Sequence, residues 1–242
     1  MNWSENVIRL DEVDSTNEYA KRIADRSEDG TIIIAETQTQ GKGRLNRYWY
    51  SPRGGIWMSI ILKSIRESPY AQLLTLFTGV AVIQALKSLG LQVSLKWPND
   101  IIANNKKLGG ILTEWEPTSG SVIIGIGLNL NIDPQTFPPE LQHTATSVLH
   151  ELKSEIDKDG LVNTILKEFQ TVYAKFENGQ IEELLLAWKH NSNILGRDVV
   201  VETVGQQYQG RAIDVDQDGS LILKEKSGKE QKIVAGDVKF LE

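Results

Sequence analysis

The sequence of 242 residues predicts an α+β protein that ends in a small β domain. Three observations support this class. Up to about residue 193, β-branched runs typical of strands are mixed with longer segments of helical periodicity. From Gly196 onward, short strands alternate with tight turns, which is typical of a small antiparallel barrel. Hydrophobic residues make up 40% and charged residues 24%, as in globular proteins with their own core. We therefore predict two domains, at 1–193 and 194–242.

The helices of the first domain are predicted from apolar periodicity and from end signals. Ser15 and Glu18 form an S-x-x-E capping-box pattern at the start of the first helix. Gly90 is placed to end the second helix as its C-cap. The apolar stretch within that second helix is too short to cross a bilayer, which favours a buried helix. The predicted helices span residues 15–26, 70–89, 146–152, 159–176 and 181–191.

The strands are predicted where β-branched or alternating apolar runs are bounded by turn residues. Asn104 and Asn105 mark a hairpin tip, because asparagine is favoured in tight turns. A long polar loop, here called the basic loop, is predicted over residues 38–52. In the first domain the predicted strands span residues 31–36, 55–63, 92–96, 101–103, 108–115 and 121–131. In the second domain they are the segments DVVVET, QQYQGRAIDV, SLILKE, KEQKIVA and DVKFLE.

Charge is unevenly distributed along the chain. The net charge is −6, yet the stretch from 38 to 66 contains six basic residues and no acidic one. A basic island on an acidic protein predicts a local anionic ligand. A nucleic-acid surface would instead favour a broadly basic domain. Residues 196–242 carry seven basic and nine acidic side chains, so we expect no nucleic-acid partner. The island consists of Lys42, Arg44, Arg47, Arg53, Lys63 and Arg66.

The cysteine count and the first residues exclude several classes. The absence of cysteine excludes a disulfide framework, a thiolate metal site and a cysteine nucleophile. The first twenty residues lack the basic and apolar regions of a signal peptide. We therefore expect a cytoplasmic protein without a membrane partner.

Two motifs carry most of the candidate chemistry. Gly41-Lys42-Gly43-Arg44 combines two flexible glycines with two cations, which suits a loop that wraps around an anion. It is neither a P-loop nor a Rossmann fingerprint. In Lys96-Trp97-Pro98-Asn99-Asp100, the proline restricts the tryptophan to extended backbone and gives a rigid platform for the last two residues. The aspartate could orient a nucleophilic amine or hold Mg²⁺, and the asparagine could bind a phosphate or a base.

A lysine and two glycines form a third candidate element. Lys107 follows the hairpin tip and precedes Gly109 and Gly110 within an apolar strand. Glycine weakens a strand, so its presence here indicates that a ligand or another chain segment lies close above it.

These segments together resemble the biotin–protein ligases, in order along nearly the whole chain. The resemblance implies a catalytic domain like that of class II aminoacyl-tRNA synthetases, with a mixed or antiparallel sheet and flanking helices, and an SH3-like C-terminal domain. Because DSTN begins at residue 14, it also implies the ligase-only form without an N-terminal DNA-binding domain. The matching segments are DSTN at 14–17, AETQTQGKGRLNRYWYSPRGG at 35–55, KWPND at 96–100, KKLGGILTE at 106–114 and GIGLNLN at 125–131.

The resemblance implies a role for each matching residue. Lys107, Asp100 and Arg44 are the implied catalytic residues. One departure is Asn46, where the family pattern has glycine; asparagine tolerates the left-handed backbone better than most residues. The implied biotin contacts are Ser15, Thr16, Asn17, Gln38, Lys42, Gly43, Arg44 and Lys107. The implied ATP contacts are Arg44, Arg47, Trp49, Asn99, Asn129 and Asn131.

The implied reaction has two steps. Biotin carboxylate attacks the α-phosphorus of MgATP, giving biotinyl-5′-adenylate and pyrophosphate; a lysine of a biotin carboxyl carrier domain then attacks the anhydride and releases AMP. ATP is the expected cofactor, and Mg²⁺ is expected to be carried by ATP, with no metal ligands assigned. Two anions meet in the first step, which accounts for the clustered positive charge. The intermediate hydrolyses in water, which accounts for a closing loop.

Three alternatives remain open at this stage. A lipoate–protein ligase shares the scaffold and the adenylation chemistry, and a non-catalytic biotin-binding module would share the pocket alone. An octanoyltransferase of the same superfold is disfavoured because it needs a cysteine nucleophile. The strand predicted at 121–131 would also permit pairing at a sheet edge, so we consider a homodimer.

Overall fold

The computed structural model describes residues 6–63 and 71–241. Arg66 of the basic island and Tyr70, the predicted first residue of the second helix, lie outside the described residues. Within them, the prediction of an α+β fold with a β-rich C-terminal part is confirmed. None of the helices in this described part is long and apolar enough to cross a membrane.

The first part of the chain forms a seven-stranded mixed sheet in the order β1-β2-β3-β7-β6-β5-β4. β1 and β2 are parallel, and every other neighbouring pair is antiparallel. The hairpin tip at Asn104 and Asn105 is confirmed, since both residues have the positive φ that tight hairpin turns require. The strands are β1 (Val7–Val13), β2 (Ile32–Gln38), β3 (Ile56–Leu62), β4 (Ser94–Lys96), β5 (Asp100–Ala103), β6 (Lys106–Glu116) and β7 (Ser121–Leu128).

Two expectations about this sheet are wrong. β1 was not predicted, because VIRLDEV is an edge strand with exposed charged residues and therefore lacks the apolar run of a buried strand. β7 lies between β3 and β6, so both of its edges are already hydrogen-bonded and it cannot pair with a second copy at a sheet edge.

The helices pack on the sheet and close its core. α2 (Ala71–Ser88) is mostly buried because it lies between the sheet and α5 (Lys158–Glu177), where Phe77 meets Phe176 with ring centroids 6.1 Å apart. The five predicted helices are confirmed within a few residues, and the short α3 was not predicted. The helices are α1 (Thr16–Ile23), α2 (Ala71–Ser88), α3 (Pro139–Gln142), α4 (Val148–Leu152), α5 (Lys158–Glu177) and α6 (Ile181–His190).

The C-terminal part forms a five-stranded antiparallel sheet in the order β11-β10-β9-β8-β12. Its inner apolar residues belong to the same hydrophobic core cluster as those of the first sheet. The indole of Trp97, almost fully buried, donates a hydrogen bond to the carbonyl of Gly219 at 2.9 Å. Trp97 therefore links the two sheets through this hydrogen bond. The strands are β8 (Asp198–Thr203), β9 (Gln206–Val215), β10 (Leu221–Lys224), β11 (Glu230–Ile233) and β12 (Asp237–Phe240).

Candidate active site

A cavity of about 530 Å³ lies between the large sheet, the basic loop and the segment 137–145. The strand β7 forms its floor. Gly125 and Gly127 line the cavity because alternate residues of a strand face the same side, and Asn129, directly after the end of β7, lines it as well. From Gly125 to Asn129 the extended chain covers about 13 Å, at about 3.3 Å per residue. Of the predicted site residues, the cavity is lined by Ser15, Thr16, Asn17, Gln38, Lys42, Gly43, Arg44, Arg47, Trp49, Asn99, Asp100, Lys107 and Asn129.

One end of the cavity is a connected polar network. The backbone N–H and the hydroxyl of Thr16 both donate to Gln38 Oε1, at 2.8 and 3.1 Å. The buried hydroxyl of Ser59 lies 2.7 Å from Thr16 Oγ1 and 2.6 Å from Asn17 Oδ1. Gln38 Nε2 in turn donates to Ser51 Oγ at 2.8 Å. The first turn of α1 and the end of β2 thus hold a fixed array of donors and acceptors.

The capping box expected at Ser15 is wrong. Ser15 occupies the N-cap position, but its side chain makes no capping hydrogen bond. Its backbone N–H, which a capping-box glutamate would accept, donates instead to Asp14 Oδ1 at 2.8 Å. Glu18 pairs with Lys21 at 3.1 Å and with Lys42 at 3.2 Å. The Ser15 hydroxyl has no hydrogen-bond partner among the described residues, so it is available to a ligand.

Asp14 holds this turn through Arg22. Hydrogen bonds from the Arg22 guanidinium outweigh the effect of partial burial and lower the pKa of Asp14 to about 2. Because this pKa lies below its unfolded value near 4, the ionised carboxylate stabilises the fold above about pH 4, and that contribution is lost as the pH falls towards 2.

Asp14→Asn should therefore lower the free energy of unfolding by about 1 kcal/mol at pH 7, a value reduced for the partial exposure of the pair. The difference from the unmodified protein should shrink as the pH falls from 4 towards 2. Urea unfolding at a series of pH values measures it. Asp25→Asn is the matched control, because Asp25 is exposed and its carboxylate has no hydrogen-bond partner among the described residues. A pH-independent difference would contradict this explanation.

Lys107 and Asp100 form an ion pair in the middle of the cavity. Lys107 Nζ lies 2.6 Å from Asp100 Oδ1 and 5.1 Å from the centroid of the Trp49 ring. The β5–β6 hairpin brings the two side chains together. In its register Asp100 pairs with Gly110 and Ile102 pairs with Lys107, with a β-bulge between these two pairs. A Cβ at Gly110 would meet its neighbours at ordinary contact distances, so this glycine leaves cavity space rather than relieving a clash.

The glycines of β7 make room for two site side chains. A Cβ at Gly125 would lie 2.4 Å from Asn17 Oδ1, and one at Gly127 would lie 2.8 Å from Trp49 Nε1. Trp49 Nε1 is itself buried and has no hydrogen-bond partner among the described residues. Buried donors are rarely left unsatisfied, so this N–H is an exception among the polar groups of the site.

Ion pairs hold the basic loop on both sides of the cavity. On one side Lys42 pairs with Glu18 of α1. On the other, Arg44 donates to the carbonyl of Gly236 at 3.0 Å and lies 3.5 Å from Asp237 Oδ1, while Arg47 also pairs with Asp237. Burial lowers the pKa of Arg44 against the opposing charge of Asp237, yet a guanidinium stays cationic at neutral pH. The sequence did not predict that Asp237 belongs to this site.

The backbone of this loop is left-handed at its tip. Asn46 has φ 56°, which is a conformation that asparagine tolerates, as expected. The neighbouring Leu45 also has φ 56°, a strained backbone conformation for leucine, and its side chain is exposed.

Lys96 also belongs to this site, although its side chain was not predicted to. It lines the cavity, and its ammonium lies 5.7 Å from the centroid of the Phe240 ring. Burial lowers the pKa of Lys96, and the nearby charge of Asp100 opposes that shift.

The far end of the cavity combines an asparagine with an apolar segment. Asn129 Nδ2 donates to the carbonyl of Thr146 at 2.9 Å. Asn131 does not line the cavity; its amide instead makes two hydrogen bonds to the backbone of Ile156, at 2.8 and 3.1 Å. This end is also lined by five residues that have no periodic signal in the sequence, which are Phe137, Leu141, His143, Thr144 and Ala145.

Metal ligands do not cluster in this region. Within residues 6–63 and 71–241, no group of three or more His, Cys, Asp or Glu side chains is arranged to hold a metal ion.

The residues that form the mixed sheet, the cavity with its lysine–aspartate pair and the antiparallel C-terminal sheet match the models of a class of protein ligases. The chain belongs to the biotin/lipoate A/B protein ligase family, whose model matches residues 10–131. A second model, that of the biotin protein ligase C-terminal domain, matches residues 194–241.

Individual relatives agree with this assignment. The bifunctional ligase/repressor BirA of Bacillus subtilis is 35% identical over 98% of this chain and 74% of its own length. The biotin–[acetyl-CoA-carboxylase] ligase of Mycobacterium tuberculosis is 32% identical over 88% of this chain and 80% of its own. The structure of the Aquifex aeolicus biotin protein ligase in complex with biotin and ATP superposes with a TM-score of 0.86 at 29% identity, covering 97% of this chain and 98% of that one.

Proposed function

We propose that this protein is an ATP-dependent biotin–protein ligase that makes biotinyl-5′-adenylate and transfers biotin to a lysine of a biotin carboxyl carrier domain. The observation that carries the proposal is the ion pair of Lys107 and Asp100 at the centre of a cavity with one polar and one partly apolar end. Similarity over nearly the whole chain to a ligase solved with biotin and ATP supports it.

The polar end is the proposed site for the biotin rings. Ser15, Thr16, Asn17 and Gln38 provide hydroxyl and amide groups for the ureido group, and the free hydroxyl of Ser15 is the simplest donor to its carbonyl.

The cations in the middle of the cavity are proposed to bring two anions together. Lys107 binds the biotin carboxylate and the α-phosphate, while Lys42, Gly43 and Arg44 close over them from the basic loop. Fixed positive charge stabilises the negative charge that develops as the carboxylate oxygen attacks phosphorus. Trp49 covers Lys107 and excludes water from the reacting atoms.

The other end is the proposed nucleotide site. Its apolar segment suits a purine ring, and polar contacts are assigned to Arg47, Trp49, Asn99, Asn129 and Asn131. Of these, Asn131 would act through the segment that it holds at Ile156, since it does not itself line the cavity.

Mg²⁺ is proposed to arrive on the ATP phosphates. Mg²⁺ sites that act on nucleotides commonly use one or two carboxylates plus phosphate oxygens, and Asp100 and Asp237 are the carboxylates that line this cavity. When bound, the ion neutralises phosphate charge.

Asp100 is proposed to guide the incoming carrier lysine. The transfer step needs a neutral amine next to the mixed anhydride, and the Asp100 carboxylate can accept a hydrogen bond from that amine. Its present partner Lys107 would turn to the phosphate when the adenylate is bound.

Domain division, location and assembly belong to the same proposal. A boundary at 193, with domains at 1–193 and 194–242, is supported by the change from the mixed to the antiparallel sheet after α6. A cytoplasmic location and a homodimer stay predictions, and the dimer no longer has β7 as its basis.

The purified protein should label a biotin carrier domain when given ATP, Mg²⁺ and radiolabelled biotin. Radiolabelled lipoate, used in place of biotin under the same conditions, should leave the carrier domain unlabelled. Preference for lipoate would favour a lipoate–protein ligase. Biotin binding without ATP–pyrophosphate exchange would favour a non-catalytic binding module.

A further inference from the structure

The amide of Asn17 has a defined orientation, and the groups around it explain why. Its Nδ2 lies 2.8 Å from Glu114 Oε2 and 3.3 Å from the carbonyl oxygen of Leu112. A carboxylate and a carbonyl only accept hydrogen bonds, so both must face the NH₂ group. The reversed amide would place its own oxygen against the Glu114 carboxylate, which is repulsive. Asn17 Oδ1 therefore points to the opposite side, towards Ser59 and the floor of the cavity.

Glu114 is held in place by a cation that does not touch the cavity. Lys21 Nζ lies 2.6 Å from Glu114 Oε1 and 3.1 Å from Glu18 Oε1. Burial lowers the pKa of Lys21, but its hydrogen bonds to Glu114 and Glu18 outweigh that effect and raise it. Lys21 is therefore a cation at neutral pH, and the two oxygens of Glu114 are divided between Lys21 and Asn17.

We propose that Glu114 is a positioning residue that makes Asn17 a hydrogen-bond acceptor towards the ligand, so that the site selects ring systems carrying an N–H donor. Both amide hydrogens of Asn17 are used by the protein, whereas its oxygen has two lone pairs and Ser59 occupies one. The inference rests on the proposed function: a ureido ring carries N–H groups and a dithiolane ring carries none. An acceptor left unpaired against a dithiolane would penalise its binding.

Glu114→Gln tests the inference with almost no change in shape. The glutamine loses its charge and its pair with Lys21, and it can turn either its oxygen or its NH₂ towards Asn17. The amide of Asn17 is then no longer held in one orientation. We expect the KM for biotin in ATP–pyrophosphate exchange to rise about tenfold, the size expected for one lost charge-assisted hydrogen bond. The KM for ATP and kcat should change by less than about twofold.

Two controls separate positioning from a general loss of structure. Glu116→Gln is the matched control, because Glu116 lies two residues further on the same strand and does not line the cavity; it should leave all three constants unchanged. Lys21→Met releases Glu114 without altering it, and it should shift the KM for biotin in the same direction. If Glu114→Gln unfolds at lower temperature than the unmodified protein, Lys21→Met still decides the question.

A double-mutant cycle gives the decisive measurement. If Glu114 acts through Asn17, then Glu114→Gln should add nothing to the KM for biotin once Asn17→Ala is present. Additive effects, or an unchanged KM in both Glu114→Gln and Lys21→Met, would overturn the inference while leaving the biotin ligase assignment intact. Absence of biotin-dependent exchange in the unmodified protein would instead remove the proposed function, and the inference with it.

Discussion

Replacing Lys107 by alanine should lower biotin-dependent ATP–pyrophosphate exchange at least about 100-fold, the loss seen when one preorganised donor to a developing oxyanion is removed. Lys107 is the proposed contact to both reacting anions, and its ammonium lies between Asp100 and the Trp49 ring. Three of the other cations that line the cavity are already paired, Arg44 and Arg47 with Asp237 and Lys42 with Glu18. Both kcat and kcat/KM should fall together, since the interaction strengthens as charge develops.

Three comparisons make this result specific to the ammonium. Lys106→Ala changes the neighbouring lysine, which does not line the cavity, and should retain full exchange. Lys107→Arg keeps the charge and should recover part of the activity. Thermal unfolding of Lys107→Ala should match that of the unmodified protein, because the side chain is partly exposed and the hydrogen bond from its backbone N–H to Thr144 is kept. Exchange at the unmodified rate in Lys107→Ala would remove this lysine from the mechanism.

The sequence was informative where a local pattern has a local cause. Hairpin-forming asparagines, β-branched strands and the long apolar helix all appear where their patterns predict them. β1 was not predicted, because it is an exposed edge strand and its charged residues resemble those of a loop. The capping box at Ser15 failed for a different reason: the adjacent Asp14 accepts the hydrogen bond from the backbone N–H, and Lys21 and Lys42 pair with Glu18.

The sequence predicted many of the site residues, but it did not predict which residues contact them. Gly125 and Gly127 indicate a close approach in the sequence, but only the structure shows that Asn17 and Trp49 are what approaches. Glu114 and Asp237 are distant in sequence from the residues they hold, so no spacing rule identifies them. Asn131 shows the reverse case, because the last residue of the GIGLNLN segment turns its side chain away from the cavity.

The basic loop is bound to the C-terminal sheet beside the cavity, so we expect that sheet to affect catalysis. Arg44 is the central link: its side chain is mostly buried, and it reaches both Gly236 and Asp237. Since Arg47 shares Asp237 but is largely exposed, it can hold the loop only weakly by itself. We therefore expect loop closure in this protein to depend on contacts made by β12 as well as on the ligand.

Arg44→Ala should consequently release the adenylate from the site. Losing its charge-assisted hydrogen bonds should increase labelling of a protein without a carrier lysine, such as serum albumin, at least about tenfold at equal biotin turnover. The free adenylate acylates any exposed amine, so mass spectrometry should find biotin on many lysines. Arg53→Ala is the matched control, because Arg53 is exposed, pairs with Asp11 and does not line the cavity. Albumin labelling by Arg44→Ala at the level of the Arg53→Ala control would show that the loop does not retain the intermediate.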